Sequence, residues 1–296
     1  MRLWLATPPQ DAPTVDVSSA HYLLGAVHQQ SGRSDQAKAE FQAAFAANPN
    51  EDAKKARASL RWSENMTSRK HTARVAGALY LVMGLAGAFS IMYIPRFFMI
   101  RGDAAATASN ILSSPLLYRF GVVCDLVNQA GFILLVVVLY DLLKDVNRRH
   151  ALLMVALVLV QVAMTFAIMI TQIAPLVVLS GADYLSVFEK RQLDALALGI
   201  LTLRGRATIA LGAYMGLWLL PFGALVYRSG FIPRILGILL LVAGYAYVVS
   251  TLTFFLLPDY FRVASLLMTV SAAAGEGSIV CWLLIKGVRT EPLEAS

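Results

Sequence analysis

Two carboxylates stand inside long apolar runs, Asp125 in VVCDLVNQAGFILL and Glu276 in SAAAGEGSIVCWLL. An ionisable group at the centre of a bilayer costs about 2.5–3.5 kcal/mol on insertion scales, so a chain keeps one for a reason. The functional reasons are a proton relay, an ion site or a contact to a ligand. The structural one is an acid that hydrogen-bonds a neighbouring helix, worth about 0.6 kcal/mol on average. Polar residues accompany the acids. Asn128 and Gln129 stand three and four positions after Asp125, which places all three on one helix face. Gln161, Thr165 and Gln172 share a face of the next apolar run, with Ile168 as an apolar gap between them. Asp125, Asn128, Gln129, Gln161, Gln172 and Glu276 form the candidate intramembrane polar site. A cavity lined by these residues is the expectation for a binding protein.

Enzymatic chemistry finds little support. His71 and His150 lie at loop edges, and the apolar region has no HExxH, no paired metal ligands and no Ser–His arrangement. Aspartyl chemistry needs two carboxylates in one site. Glu276 sits about two residues past the middle of its run and Asp125 about five to the outer side of its own, so their depths differ by about 10 Å. Arg119 precedes Asp125 by six positions, a poor helical spacing for a pair. Gln161 or Gln172 is the expected hydrogen-bond partner of either acid. No cofactor motif occurs. Cys124 and Cys281 both lie in apolar runs, near opposite faces, and read as small buried hydrophobes rather than a disulfide.

The elements that position these residues follow from composition. The chain has 296 residues, 58% of them hydrophobic, and a mean hydropathy of +0.64. A hydrocarbon core about 30 Å thick takes about 20 apolar residues of helix. Six runs meet that length, at about 75–95, 118–142, 151–178, 207–227, 235–257 and 263–285. They must be helical, because unpaired backbone groups in lipid cost several kcal/mol each. The fold class is an all-α polytopic bundle of six spans with a small soluble helical segment before it. The domains are 1–68, a cytoplasmic helical segment; 70–289, the membrane domain; and 290–296, a short cytoplasmic tail. No inverted repeat relates spans one to three with spans four to six.

Local signals refine the spans. Asp103 to Leu112 predicts a short surface helix between spans one and two. Residues 181–206 read as an amphipathic segment that lies along the interface or in part enters the membrane, which leaves the start of span four open between them and 207. Gly212 and Gly216 have the spacing of a helix-packing motif, and Pro221 is expected to kink its helix. Ser229 and Gly230 end one helix, and Pro233 starts the next.

The net charge of +7 is spread along the chain and does not read as a nucleic-acid patch. With the N-terminus inside, ten Lys and Arg flank the inner face and six the outer, before Arg204 and Arg206 are counted. The positive-inside rule then places both termini in the cytoplasm. The opening stretch MRLWLATPPQDAP has only Leu3 to Ala6 as an apolar core, too short for a signal peptide.

Residues 18–51 read as one tetratricopeptide-like repeat. Leu24-Gly25, Ala37, Phe41, Ala44 and Pro49 fall at the spacings of that 34-residue helix–turn–helix pattern. A further amphipathic helix, about 51–62, would cap it. This makes residues 18–62 the expected surface for a protein partner or self-association. His21 and His28 lie on the segment without an acidic or Cys partner in the sequence.

Four stretches carry a wider resemblance: ARVAGALYLVMGLAGAFS, GDAAATASNILSSPLLYRFGVVCDL, RSGFIPRILGILLLVAG and GEGSIVCWLLIKG. Over about residues 70–289 the chain resembles a bacterial membrane family, domain of unknown function 4386. The resemblance implies a compact bundle of six or seven helices in the bacterial inner membrane, without an assigned activity. It also implies that Asp125 and Glu276 fall on recurrent acidic positions. The family pattern often has a His near the start of span four; here that region reads LRGRATIA. The functional expectation is an integral membrane protein that binds or transports a small or lipid-like ligand through its polar stripe. The alternative is a structural or sensory membrane protein with a cytoplasmic docking segment. The lipid bilayer is the one partner common to both.

Overall fold

The computed structural model describes residues 17–31, 33–47 and 51–288, with side chains except at 29, 30, 34 and 51–67. The opening stretch, Pro49 and the tail 290–296 lie outside the described residues. The chain divides into two compact units, Met1–Arg69 and Lys70–Ser296.

In the first unit α1 (Val17–Gln30) and α2 (Ser34–Ala47) pack as a helical hairpin. Ala37, Phe41 and Ala44 are buried. A Cβ at Gly25 would lie 2.6 Å from the Phe41 ring, so glycine is what lets the ring seat itself. Tyr22 covers the same ring at 5.8 Å between centroids. Ser18 donates to the Ala44 carbonyl at 2.8 Å, joining the two helices. His21 does have an acidic partner in space: its Nδ1 lies 2.7 Å from Glu40 Oε2 on the facing helix.

Six helical segments of the described residues are long and apolar enough to cross a membrane. The first is Ser68–Phe98. It comprises the end of α3 (Glu51–Ala88), a π-helical segment Phe89–Tyr93 and α4 (Ile94–Phe98). The others fall on α6 (Pro115–Leu143), α7 (Arg148–Val178), α8 (Lys190–Arg228), α9 (Arg234–Leu256) and α10 (Phe261–Ile285). The protein is an all-α polytopic membrane bundle, with no strand among the described residues. The expected helix between spans one and two is α5 (Ala104–Ser113), capped by Asp103, whose carboxylate accepts from Ala106 N at 2.9 Å. It packs on α8, with Thr107, Ala108 and Ile111 buried.

Span four departs from its expected boundary. The helix begins at Lys190, not near 207, and continues through Pro221 to Arg228. Its start is a capping box between Glu189 and Gln192, a signal present in the sequence with Glu in place of the usual Ser or Thr. At about 1.5 Å per residue α8 is about 58 Å long, nearly twice the hydrocarbon thickness. Its first turns therefore extend past the apolar core.

Glycines set the closest helix contacts. A Cβ at Gly216 would collide with the Gly244 carbonyl oxygen of α9, and one at Gly237 would lie 2.6 Å from Tyr227 N. Gly230 takes φ +73 between α8 and α9, the left-handed conformation that ends a helix. The central packing is aromatic: Trp218 stacks on Phe222 at 5.5 Å and meets Phe132 edge-on at 5.6 Å. Cys124 is buried as expected, but Cys281, on α10, is exposed.

Candidate functional site

The polar residues of α6 and α7 meet an arginine. Arg204 of α8 is 8% exposed, and its Nη2 donates to Asp125 Oδ2 at 2.8 Å and to Gln172 Oε1 at 2.8 Å. Asp125 and Gln172 are themselves 3% and 1% exposed. Arg119, the nearest cation in sequence, is exposed and plays no part in the pair. Tyr118 donates to the Gln172 backbone carbonyl at 2.8 Å, fixing α6 against α7 at the same level.

Arg204 was legible only as a cation flanking a span. Its helix carries a clearer signal. Ala197, Arg204, Leu211, Trp218 and Leu225 recur at every seventh position, and all are buried. A residue in such a stripe faces the bundle whatever its charge.

Asn128 and Gln129 extend the cluster. Asn128 Nδ2 donates to the Met83 carbonyl at 2.6 Å, and Gln129 Nε2 to Asn128 Oδ1 at 2.7 Å. A Cβ at Gly87 would lie 2.6 Å from Asn128 Nδ2. The missing side chain therefore admits the amide against α3, two residues before the π-helical segment. Gln161, 1% exposed, faces the same interior.

A cavity of about 30 Å³ lies at the centre, lined by Asp125, Asn128, Gln129, Gln161, Thr165 and Arg204 among others. That volume is enough for one or two waters or a comparably small polar group. A second cavity of about 70 Å³ lies against the other side of Arg204 and is bounded by Ile94, Phe98, Met99, Tyr118, Gln172 and Leu201. Around the two, Arg204 Nε, Gln172 Nε2, Gln161 Oε1 and Gln129 Oε1 are buried with no hydrogen-bond partner among the described residues. Each such atom costs about 1–3 kcal/mol unless a water or ligand in these cavities partners it.

Five of the six candidate residues thus come together, and Glu276 does not. It lies on α10, where Tyr80 donates to its Oε2 at 2.7 Å and Tyr247 to its Oε1 at 3.2 Å. Position along their helices also separates the two acids. Asp125 is eighteen residues before the end of α6, about 27 Å, and Glu276 nine before the end of α10, about 14 Å. Both helices end on the same face. Of the glycines beside Glu276, Gly275 is the close contact, its Cβ position 2.8 Å from the Leu239 carbonyl oxygen, while Gly277 faces open space. Glu276 is a satisfied interhelical contact outside the cavity.

A family model described as a domain of unknown function, DUF4386, matches residues 75–287. The chain belongs to the DUF4386 family. No curated protein and no solved structure matches it. The matched region of this DUF4386 protein takes in the π-helical segment, both cavities and both acids, and it leaves the N-terminal hairpin outside.

What this DUF4386 site can do follows from its charge. Arg204 and Asp125 neutralise one another, so the centre is polar without net charge. It offers two unpartnered donors and two unpartnered acceptors around the two cavities. No group of three or more His, Cys, Asp or Glu suited to a metal occurs among the described residues. The arrangement suits hydrogen-bond recognition, not ion coordination.

Proposed function

We propose that this protein binds a small polar ligand inside the membrane at the Asp125–Arg204–Gln172 cluster, and that moving this ligand is the transport form of the same activity. The observation that carries the reading is the set of four unpartnered polar atoms around a buried arginine. Contacts between side chains alone leave this remainder, and a polar molecule seated in the adjoining cavity would satisfy it. The test is a melting screen of the full-length protein in mild detergent against small amides, carboxylates, guanidines and ammonium. A ligand at about 100 times its Kd stabilises by about 2.7 kcal/mol. At least one class should raise the melting point of the wild type and not of Arg204→Met. A flat response across the panel sinks the reading.

A second reading concerns the N-terminal hairpin as a tetratricopeptide-like docking module, used by a protein partner or a second copy. The seating of Phe41 against Gly25 supports it, being the close helix approach that such repeats require. Deleting residues 1–68 should then abolish the cellular phenotype while the membrane domain still folds; an intact phenotype refutes it. The ten-to-six basic asymmetry supports a bacterial inner-membrane protein with both termini in the cytoplasm. Cysteine labelling at each loop checks that orientation.

A further inference from the structure

The two cavities on either side of Arg204 differ in chemistry, and the difference describes a ligand. The 30 Å³ cavity mixes the Asp125 carboxylate and the Asn128, Gln129 and Gln161 amides with apolar Ile91, Ile168 and Met169. The 70 Å³ cavity is walled by Ile94, Pro95, Phe98, Met99, Tyr118 and Leu201, with Arg204 and Gln172 as its only strongly polar side chains. Ile94, Phe98 and Tyr118 belong to one buried apolar cluster, and Leu201 packs against it. The second cavity is therefore an apolar chamber with a polar end.

The polar end donates. Gln172 Oε1 accepts from Arg204, which fixes the amide's orientation and leaves Nε2 as a free donor. A Cβ at Gly121 would lie 3.5 Å from that Nε2 and 2.6 Å from Ile94, so the donor sits beside the chamber wall. Arg204 Nε is the second unpartnered donor. Two donors at the end of an apolar chamber call for an acceptor head. A carboxylate would add a charge to a pair that is already balanced, and an uncompensated buried charge is costly. A carbonyl adds none.

Building on the proposed ligand site, we propose that the ligand is a short aliphatic carbonyl compound bound as a neutral species. Its oxygen accepts from Arg204 Nε and Gln172 Nε2, and its carbon chain fills the chamber beside Leu201 and Phe98. Size limits the chain. A cavity of about 150 Å³ admits a benzene, so 70 Å³ holds a branched group of about three carbons.

The experiment is calorimetric titration of the full-length protein in mild detergent with isobutyramide, formamide and, at pH 8, isobutyrate. Isobutyramide should bind at least about tenfold tighter than formamide, since each buried carbon contributes about 0.8 kcal/mol. It should also bind at least about tenfold tighter than isobutyrate. Leu201→Phe, which fills the chamber, should weaken isobutyramide by about tenfold. Met99→Phe fills the chamber from the other element and serves if the first variant does not fold. If formamide binds as well as isobutyramide, or Leu201→Phe is without effect, the chamber assignment is overturned and the polar site stands. If isobutyrate matches the amide, the neutral head is overturned. If none of the three binds, this ligand class is overturned, while the wider panel still decides the polar-ligand reading.

Discussion

Removing Asp125 alone should damage the protein more than removing Asp125 and Arg204 together. In Asp125→Leu the guanidinium keeps only Gln172 as acceptor, at 2.8 Å, and a buried positive charge is left without its counter-ion. The attraction lost across 2.8 Å is about 6 kcal/mol at an effective dielectric near 20. Relaxation and water entry recover part of it, and breaking buried pairs from one side costs about 3–5 kcal/mol. In Asp125→Leu/Arg204→Met no charge remains. The main residual cost is the Gln172 amide oxygen, now unpaired, at about 1–3 kcal/mol. The double variant should therefore recover about 2 kcal/mol relative to Asp125→Leu. The assay is thermal unfolding in mild detergent, followed by helical circular dichroism and by monodispersity on a sizing column. At roughly 2–4 °C per kcal/mol the single variant should lose on the order of 10 °C and the double about half of that. A single variant that melts with the wild type, or a double variant no better than the single, would show that the pair is hydrated and that its geometry carries little energy.

Three further outcomes are expected. Gly216→Leu should separate α8 from α9 and cost at least about 1–3 kcal/mol by overpacking, whereas Gly84→Ala, with nothing within 4 Å of its Cβ position, should gain up to about 1 kcal/mol from helix propensity; equal melting points for the two would refute the packing account. Tyr80→Phe and Glu276→Gln should each cost about 0.5–1.5 kcal/mol and couple to one another in a double-mutant cycle, yet either should add independently to Asp125→Leu, because the two clusters share no partner. Phe41→Ala should unfold the hairpin locally, at about 3–5 kcal/mol, read as rapid hydrogen exchange over 17–47 with the membrane helices unchanged.

The membrane class was legible because it rests on length and composition alone. Any run of about 20 apolar residues must be a helix in lipid, whatever surrounds it. The faces of α6 and α7 were legible for a similar reason: helical period places Asp125 beside Asn128 and Gln129, and Gln161 in line with Gln172, before any neighbour is known. The turn at Ser229–Gly230 and the cap at Asp103 are written locally in the same way. Apolar count misplaced the start of α8, because Lys190, Arg191, Asp194, Arg204 and Arg206 flank the apolar stretch 195–203 and lower its summed hydropathy.

Partnership belonged to the tertiary structure. Arg204 lies 79 positions from Asp125 and stood in what read as an interfacial segment. Only the packing of α8 against α7 turns it into the counter-ion of the site and leaves four polar atoms without partners around it. Glu276 shows the converse. Its sequence environment matched that of Asp125, but Tyr80 and Tyr247 satisfy it between helices and take it out of the cavity. Hydropathy and period are properties of one segment and can be summed along a chain. Which donor meets which acceptor depends on how segments distant in sequence are held against each other, and that was decided by packing.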